Sequence, residues 1–140
     1  MITMKNKVGV WIDLSKAIIV TIKGDERKML VIDGIDNRER IPGEGKIYTR
    51  FGSQFSNMEK QKESKLNHQV KAFLKSVEEQ VRHSDELVIF GPANIKQELA
   101  NLILKNKTLA QKLKGVESAD SMTDNQVAAW VATYFETHSN

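Results

Sequence analysis

Leu87-Val88-Ile89-Phe90-Gly91-Pro92-Ala93-Asn94 is the stretch that decides the class of fold. Four consecutive apolar residues suit a short strand buried on both faces, the habit of a parallel sheet rather than of a half-solvated antiparallel one. Gly91 and Pro92 end that run, and Ile95, Leu99, Leu102 and Ile103 then recur at helical spacing. Strand, glycine turn and helix make a βα unit. Such a turn points backbone N–H groups at the sheet edge where anions bind. With one glycine and no phosphate-loop lysine, the sequence favours a plain tight turn with Asn94 as the helix N-cap.

Toward the C-terminus, Val116 to Ala119 reads as a last short strand. Ser121-Met122-Thr123-Asp124 reads as an N-cap box for a final helix with Val127, Trp130, Val131, Tyr134 and Phe135 inward. Toward the N-terminus, the spacing predicts a helix from about Glu59 to His83. Its apolar stripe is Leu66, Val70, Phe73, Leu74, Val77 and Val81, and Ser64, His68, Lys71 and Lys75 fall on the opposite side. Before it, residues 36–58 hold Pro42, Gly43, Gly45, Gly52, Ser53, Ser56 and Asn57 without periodicity. That is the composition of a mobile loop, and loops this long are usually functional or disordered. Three β-rich runs come first: Val8 to Leu14, Ala17 to Lys23 and Lys28 to Ile35. Their short breaks imply an antiparallel meander. The order is therefore β-β-β-(long loop)-α-β-α-β-α, an α/β domain with the mixed sheet of the ribonuclease-H-like class.

At 140 residues with 28% charged and 40% hydrophobic residues, the expectation is one globular domain over residues 1–140. No run of about 18 apolar residues is present to span a bilayer, and Met1 to Lys7 lacks a signal-peptide core, so the expected location is cytoplasmic. There are no cysteines, and His68, His83 and His138 stand in no ligand spacing. No metal and no cofactor are implied. The net charge is +3, but Arg38 to Lys75 carries nine Lys/Arg against four acids, a surplus of five that leaves the rest two negative. A local surplus of this kind favours phosphates.

Within that basic segment lies Arg50-Phe51-Gly52-Ser53-Gln54, followed by Lys60, Lys62, Lys65, His68, Lys71 and Lys75. A glutamine on a loop with cations behind it, set in this element order, resembles the middle domain of the eukaryotic and archaeal class-one peptide release factors and, more loosely, of Pelota. In those factors a Gly-Gly-Gln loop precedes a basic stretch and a long helix with a histidine about fourteen residues on, the distance from Gln54 to His68. Leu87 to Gly91 followed by Lys96-Gln97-Glu98-Leu99 resembles a strand-glycine-helix passage of the same domain, and the likeness runs from about Lys7 to Phe135. It implies that Gly52, Ser53 and Gln54 correspond to the loop that places the water for peptidyl-tRNA hydrolysis. Arg50 and the lysines would then contact ribosomal or transfer RNA on the ribosome. Ser53 stands where the family has a second glycine, and its Cβ penalises φ > 0 by about 1 kcal/mol. The family's codon-reading and GTPase-binding domains do not fit in this length, so the expectation is a stand-alone relative that rescues, occupies or regulates ribosomes. Hydrolysis and simple binding both stay open.

Two other classes compete. A metal-dependent nuclease of ribonuclease-H-like fold would use Asp13 at the end of the first strand with Glu98 or Asp120. Asp13 is also the residue type that turns a strand end by bonding near Ser15. A non-catalytic interaction module would use Phe51 and Phe55 as loop anchors. The sequence does not fix an oligomeric state.

Overall fold

The computed structural model describes residues 5–35 and 67–138. The meander begins with β1 (Lys7–Ile12), β2 (Lys16–Lys23) and β3 (Glu26–Asp33). Asp13 makes the first turn: its Oδ1 accepts hydrogen bonds from the Ser15 backbone N–H at 2.9 Å, the Ser15 hydroxyl at 2.8 Å and the Lys16 N–H at 3.0 Å. Strand β1 therefore stops at Ile12, short of Leu14, because the carboxylate takes the amides that would continue the ladder. Gly24, at φ 61°, opens the two-residue turn to β3. Strand β3 correspondingly starts at Glu26, two residues before the sequence-based boundary.

Helix α1 covers 67–80, and β4 (Glu86–Gly91) follows. Next come α2 (Ile95–Leu104), a four-residue helix α3 (Lys107–Ala110), β5 (Leu113–Ser118) and α4 (Asp124–His138). The strand order is β3-β2-β1-β4-β5, with β1–β2 and β2–β3 antiparallel and β1–β4 and β4–β5 parallel. This is the ribonuclease-H-like mixed sheet expected of the sequence. One face is covered by α1 and α2: Phe73, Leu74, Val77, Ile95, Leu99 and Ile103 cluster with Val8, Val10, Ile12, Leu87 and Ile89. The other is covered by α4, where Val127, Val131, Tyr134 and Phe135 meet Trp11, Ile18, Val20, Val88 and Phe90. Alternation along β1 divides the two sets: Val8, Val10 and Ile12 face α1, while Gly9 and Trp11 face α4. A Cβ on Gly9 would meet both Val131 methyls, one of them at 2.8 Å, so the bare glycine sets how closely α4 lies on β1.

Four local expectations are corrected. Helix α1 ends at 80, and 81–83 form a turn in which Ser84 Oγ donates to the Val81 carbonyl at 2.6 Å. Asn94 occupies the N-cap position of α2 but makes no side-chain cap; at φ −70°, ψ −14° it is already helical, whereas a capping side chain needs an extended backbone. Strand β5 begins three residues earlier than Val116, since parallel pairing with β4 reaches Leu113 through a register shift. The cap of α4 is Thr123 rather than Ser121. Thr123 Oγ1 accepts from the Gln126 N–H at 3.2 Å and Gln126 Oε1 accepts from the Thr123 N–H at 3.0 Å, a reciprocal capping box two residues further along the chain than expected.

Candidate nucleic-acid interface

Strand β3 is antiparallel to β2, and β2 to β1, so β1, β3, β4 and β5 all end at one edge of the sheet. Helix α1 links two parallel strands and must run back against them, which puts its N-terminal end at that same edge. The described chain stops there, at Ile35, and resumes there, at Asn67. Ile35 is buried and its N–H donates to the Leu14 carbonyl at 2.8 Å. Gly34 lies against the Phe73 ring of α1, so the two stems are packed together. Arg50, Gly52, Ser53, Gln54, Lys60, Lys62 and Lys65 lie outside the described residues, as do Phe51, Phe55 and the loop 36–58.

Of the expected interface residues, His68, Lys71 and Lys75 are described, and all three are exposed. Their spacing of three and four residues puts them on one line along α1. Lys71 and Lys75 border an open groove of about 700 Å³ between α1 and α2, closed on the far side by Glu98, Asn101 and Lys105. Arg82 and Glu78 also line it, so the groove holds four cations against two carboxylates. The sequence reading missed Lys105 and the groove itself. Lys105 follows the last turn of α2, and nothing local marks it as a neighbour of α1.

Glu78 holds the groove's floor. Its carboxylate takes Arg82 Nε at 3.0 Å and Nη2 at 2.9 Å, and Asn106 Nδ2 donates to it at 3.4 Å. The Arg82 hydrogen bonds hold the Glu78 carboxyl below the usual carboxylate range; burial opposes them, and Asn106 adds to the lowering. Asn106 also caps α3 by accepting the Leu109 N–H at 3.2 Å, so one side chain ties α1 to the α2–α3 corner. Arg82 is thereby committed to structure, leaving Lys71, Lys75 and Lys105 as the groove cations available to a partner. Near the glycine turn, Lys96 is buried and gives its Nζ to the Ala93 carbonyl at 2.9 Å, a contact that steadies the turn.

The sheet topology has a counterpart among solved structures. No family model matches the chain, and no curated protein matches it. Among solved structures, the crystal structure of an archaeal translation termination factor, aRF1, matches over 93% of this chain at 15% sequence identity with a TM-score of 0.50. The fold is release-factor-like. The match takes in 39% of the termination factor's chain, so this chain spans about two fifths of that protein's length. At that identity the likeness is one of backbone, and the chemistry has to be argued from the residues.

The nuclease reading loses its main support in the same geometry. Oδ1 of Asp13 is taken up by the β1–β2 turn. Among the described residues no three His, Asp or Glu side chains gather to hold a metal, so Asp13, Glu98 and Asp120 do not form a cluster. The Asp120 carbonyl instead accepts the Trp11 indole N–H at 3.3 Å, fastening the entry to α4. Among the described residues no helix is long and apolar enough to cross a membrane.

Proposed function

We propose that this chain binds the ribosome through the segment that leaves the sheet at Ile35 and returns at Asn67, together with the basic line of α1. The reading follows the middle domain of class-one release factors and Pelota. Arg50, Lys60, Lys62, Lys65, His68, Lys71 and Lys75 contact ribosomal or transfer RNA, and Gly52-Ser53-Gln54 is carried toward the peptidyl-transferase centre. The observation that carries it is the joint one of a release-factor-like fold and an exposed cationic line that starts where that segment rejoins the core. In such a site the protein supplies positioning, and ribosomal RNA supplies the pocket. Gln54 would orient the water that attacks the ester of peptidyl-tRNA. The Ser53 Cβ resists the positive φ open to glycine, which damps hydrolysis and favours a rescue or regulatory role over termination chemistry. Co-sedimentation with large ribosomal subunits tests the proposal. Association at low salt that falls as salt rises supports it, and no association at any salt overturns it.

A further inference from the structure

Among the described residues strand β3 is an unpaired edge, guarded only by the charges toward its two ends. It is eight residues long, pairs with β2 without a register shift, and contains no proline. Met29, Leu30 and Val31 are 41%, 43% and 45% exposed at its centre, on both faces at once. The opposite edge strand, β5, is six residues, meets β4 through a register shift, and carries Lys114 and Glu117.

We propose that β3 pairs antiparallel with β3 of a second copy of this chain, centred on Leu30, to join the two sheets into one. Two features bear on the register: one admits it and the other selects it. The first is hydrogen-bond parity. Gly34 N–H donates to the Ser15 carbonyl at 2.8 Å in line with the β2–β3 ladder. By strand alternation, Glu26, Lys28, Leu30 and Ile32 turn their backbone groups to β2, while Arg27, Met29, Val31 and Asp33 turn theirs outward. An antiparallel partner can bond only if outward residues meet outward residues. Centring on Leu30 does this, placing Met29 opposite the partner's Val31 and Arg27 opposite the partner's Asp33.

The second feature is charge. On the face shared by Met29 and Val31, the Leu30-centred register gives two apolar pairs flanked by two Arg27–Asp33 pairs, each opposite in sign. On the other face Leu30 meets the partner's Leu30 in a non-hydrogen-bonded pair, the closer kind, and each Lys28 lies over the partner's Ile32. The neighbouring registers allowed by parity, centred on Met29 or on Val31, leave Arg27 opposite an apolar residue. One of them sets Asp33 against the partner's Asp25. Arg27 and Lys28 would discourage a foreign strand from this edge, yet they are matched by the strand's own far end. That pattern favours a second copy over an unrelated peptide.

The test is analytical ultracentrifugation of the full chain over about 1–300 μM, which covers weak to moderate self-association. Wild type is expected to dimerise, Arg27→Asp to raise the dissociation constant about tenfold by placing like charges opposite each other twice, and the swap Arg27→Asp/Asp33→Arg to restore it. Amide exchange supplies a second readout. On concentration, the N–H groups of Arg27, Met29, Val31 and Asp33 become protected, while those of Lys28, Leu30 and Ile32 are protected throughout by β2. A chain that stays monomeric across the range overturns the proposal. So does a dimer indifferent to Arg27→Asp, or one without protection at the outward amides.

Discussion

Replacing Gly9 by alanine tests whether α4 packs on β1 at a distance set by a missing side chain. The new Cβ would meet both Val131 methyls, at 2.8 Å for Cγ1, and would stand 3.1 Å from the Val131 Cβ. Carbon atoms prefer about 3.5–4.0 Å, so α4 must move by the better part of an ångström or Val131 must leave its rotamer. Overpacking of this kind costs about 1–3 kcal/mol, and the top of that range is expected because Val131 and its neighbours Trp11 and Val127 are almost wholly buried. Val131→Ala alone removes two buried methyls and costs about 2 kcal/mol. In the double variant the alanine Cβ takes up space the valine vacated. The two costs should therefore fall short of their sum by at least about 1 kcal/mol. Urea unfolding measures all four proteins, and the expected signature is a shift in midpoint at constant slope. If Gly9→Ala is neutral, or if the costs simply add, the close approach of α4 to β1 is not what Gly9 provides.

Other perturbations follow from the groove, the first turn and the loop. Glu78→Gln removes a carboxylate whose folded pKa lies below its ordinary value of 4.5, so its contribution is complete above pH 4.5 and fades as the pH falls through the lowered value. The stability gap between wild type and Glu78→Gln should therefore shrink on acidification from pH 6 to about pH 3, and a gap independent of pH would count against the Arg82 pairing. Asp13→Ala loses three hydrogen bonds at the β1–β2 turn and should destabilise by about 1–2 kcal/mol, read by thermal unfolding. It should also leave any binding of RNA unchanged, whereas metal-dependent cleavage abolished by this change would restore the nuclease reading. On ribosomes carrying peptidyl-tRNA, Ser53→Gly should release more peptide than wild type and Gln54→Ala none. Equal release by all three proteins would remove a hydrolytic role from the loop.

The elements that the sequence revealed are those whose burial is one-sided or complete. The stripe of α1 from Phe73 to Val77 and the inward face of α4 each carry a periodicity that one packing partner explains, and the unbroken apolar run of β4 is explained by burial on both faces. What stayed hidden depends on neighbours distant in the chain. Lys105 joins Lys71 and Lys75 only because α2 is packed beside α1. Strand β5 starts at Leu113, where Lys114 and Gly115 interrupt any apolar pattern and the pairing with β4 decides instead. Met29-Leu30-Val31 is the apolar stretch of the third β-rich run and lies exposed, because whether a strand is central or at an edge is a property of the sheet. Glu78 and Arg82 stand at the spacing of a helical ion pair, which the sequence shows; the burial of Glu78 and its link to Asn106 it does not. For the site, the sequence placed His68, Lys71 and Lys75 on the open face of α1, where they are found.

Ribosome binding through the basic line of α1 is tested most sharply by the affinity for large ribosomal subunits, measured against salt concentration. Wild type should bind with an affinity that falls steeply with salt. Lys71→Ala/Lys75→Ala should bind more weakly at every salt and flatten the logarithmic slope by about 2, one for each phosphate that a lysine no longer neutralises. Binding that ignores both salt and the two lysines would refute a cationic interface on α1.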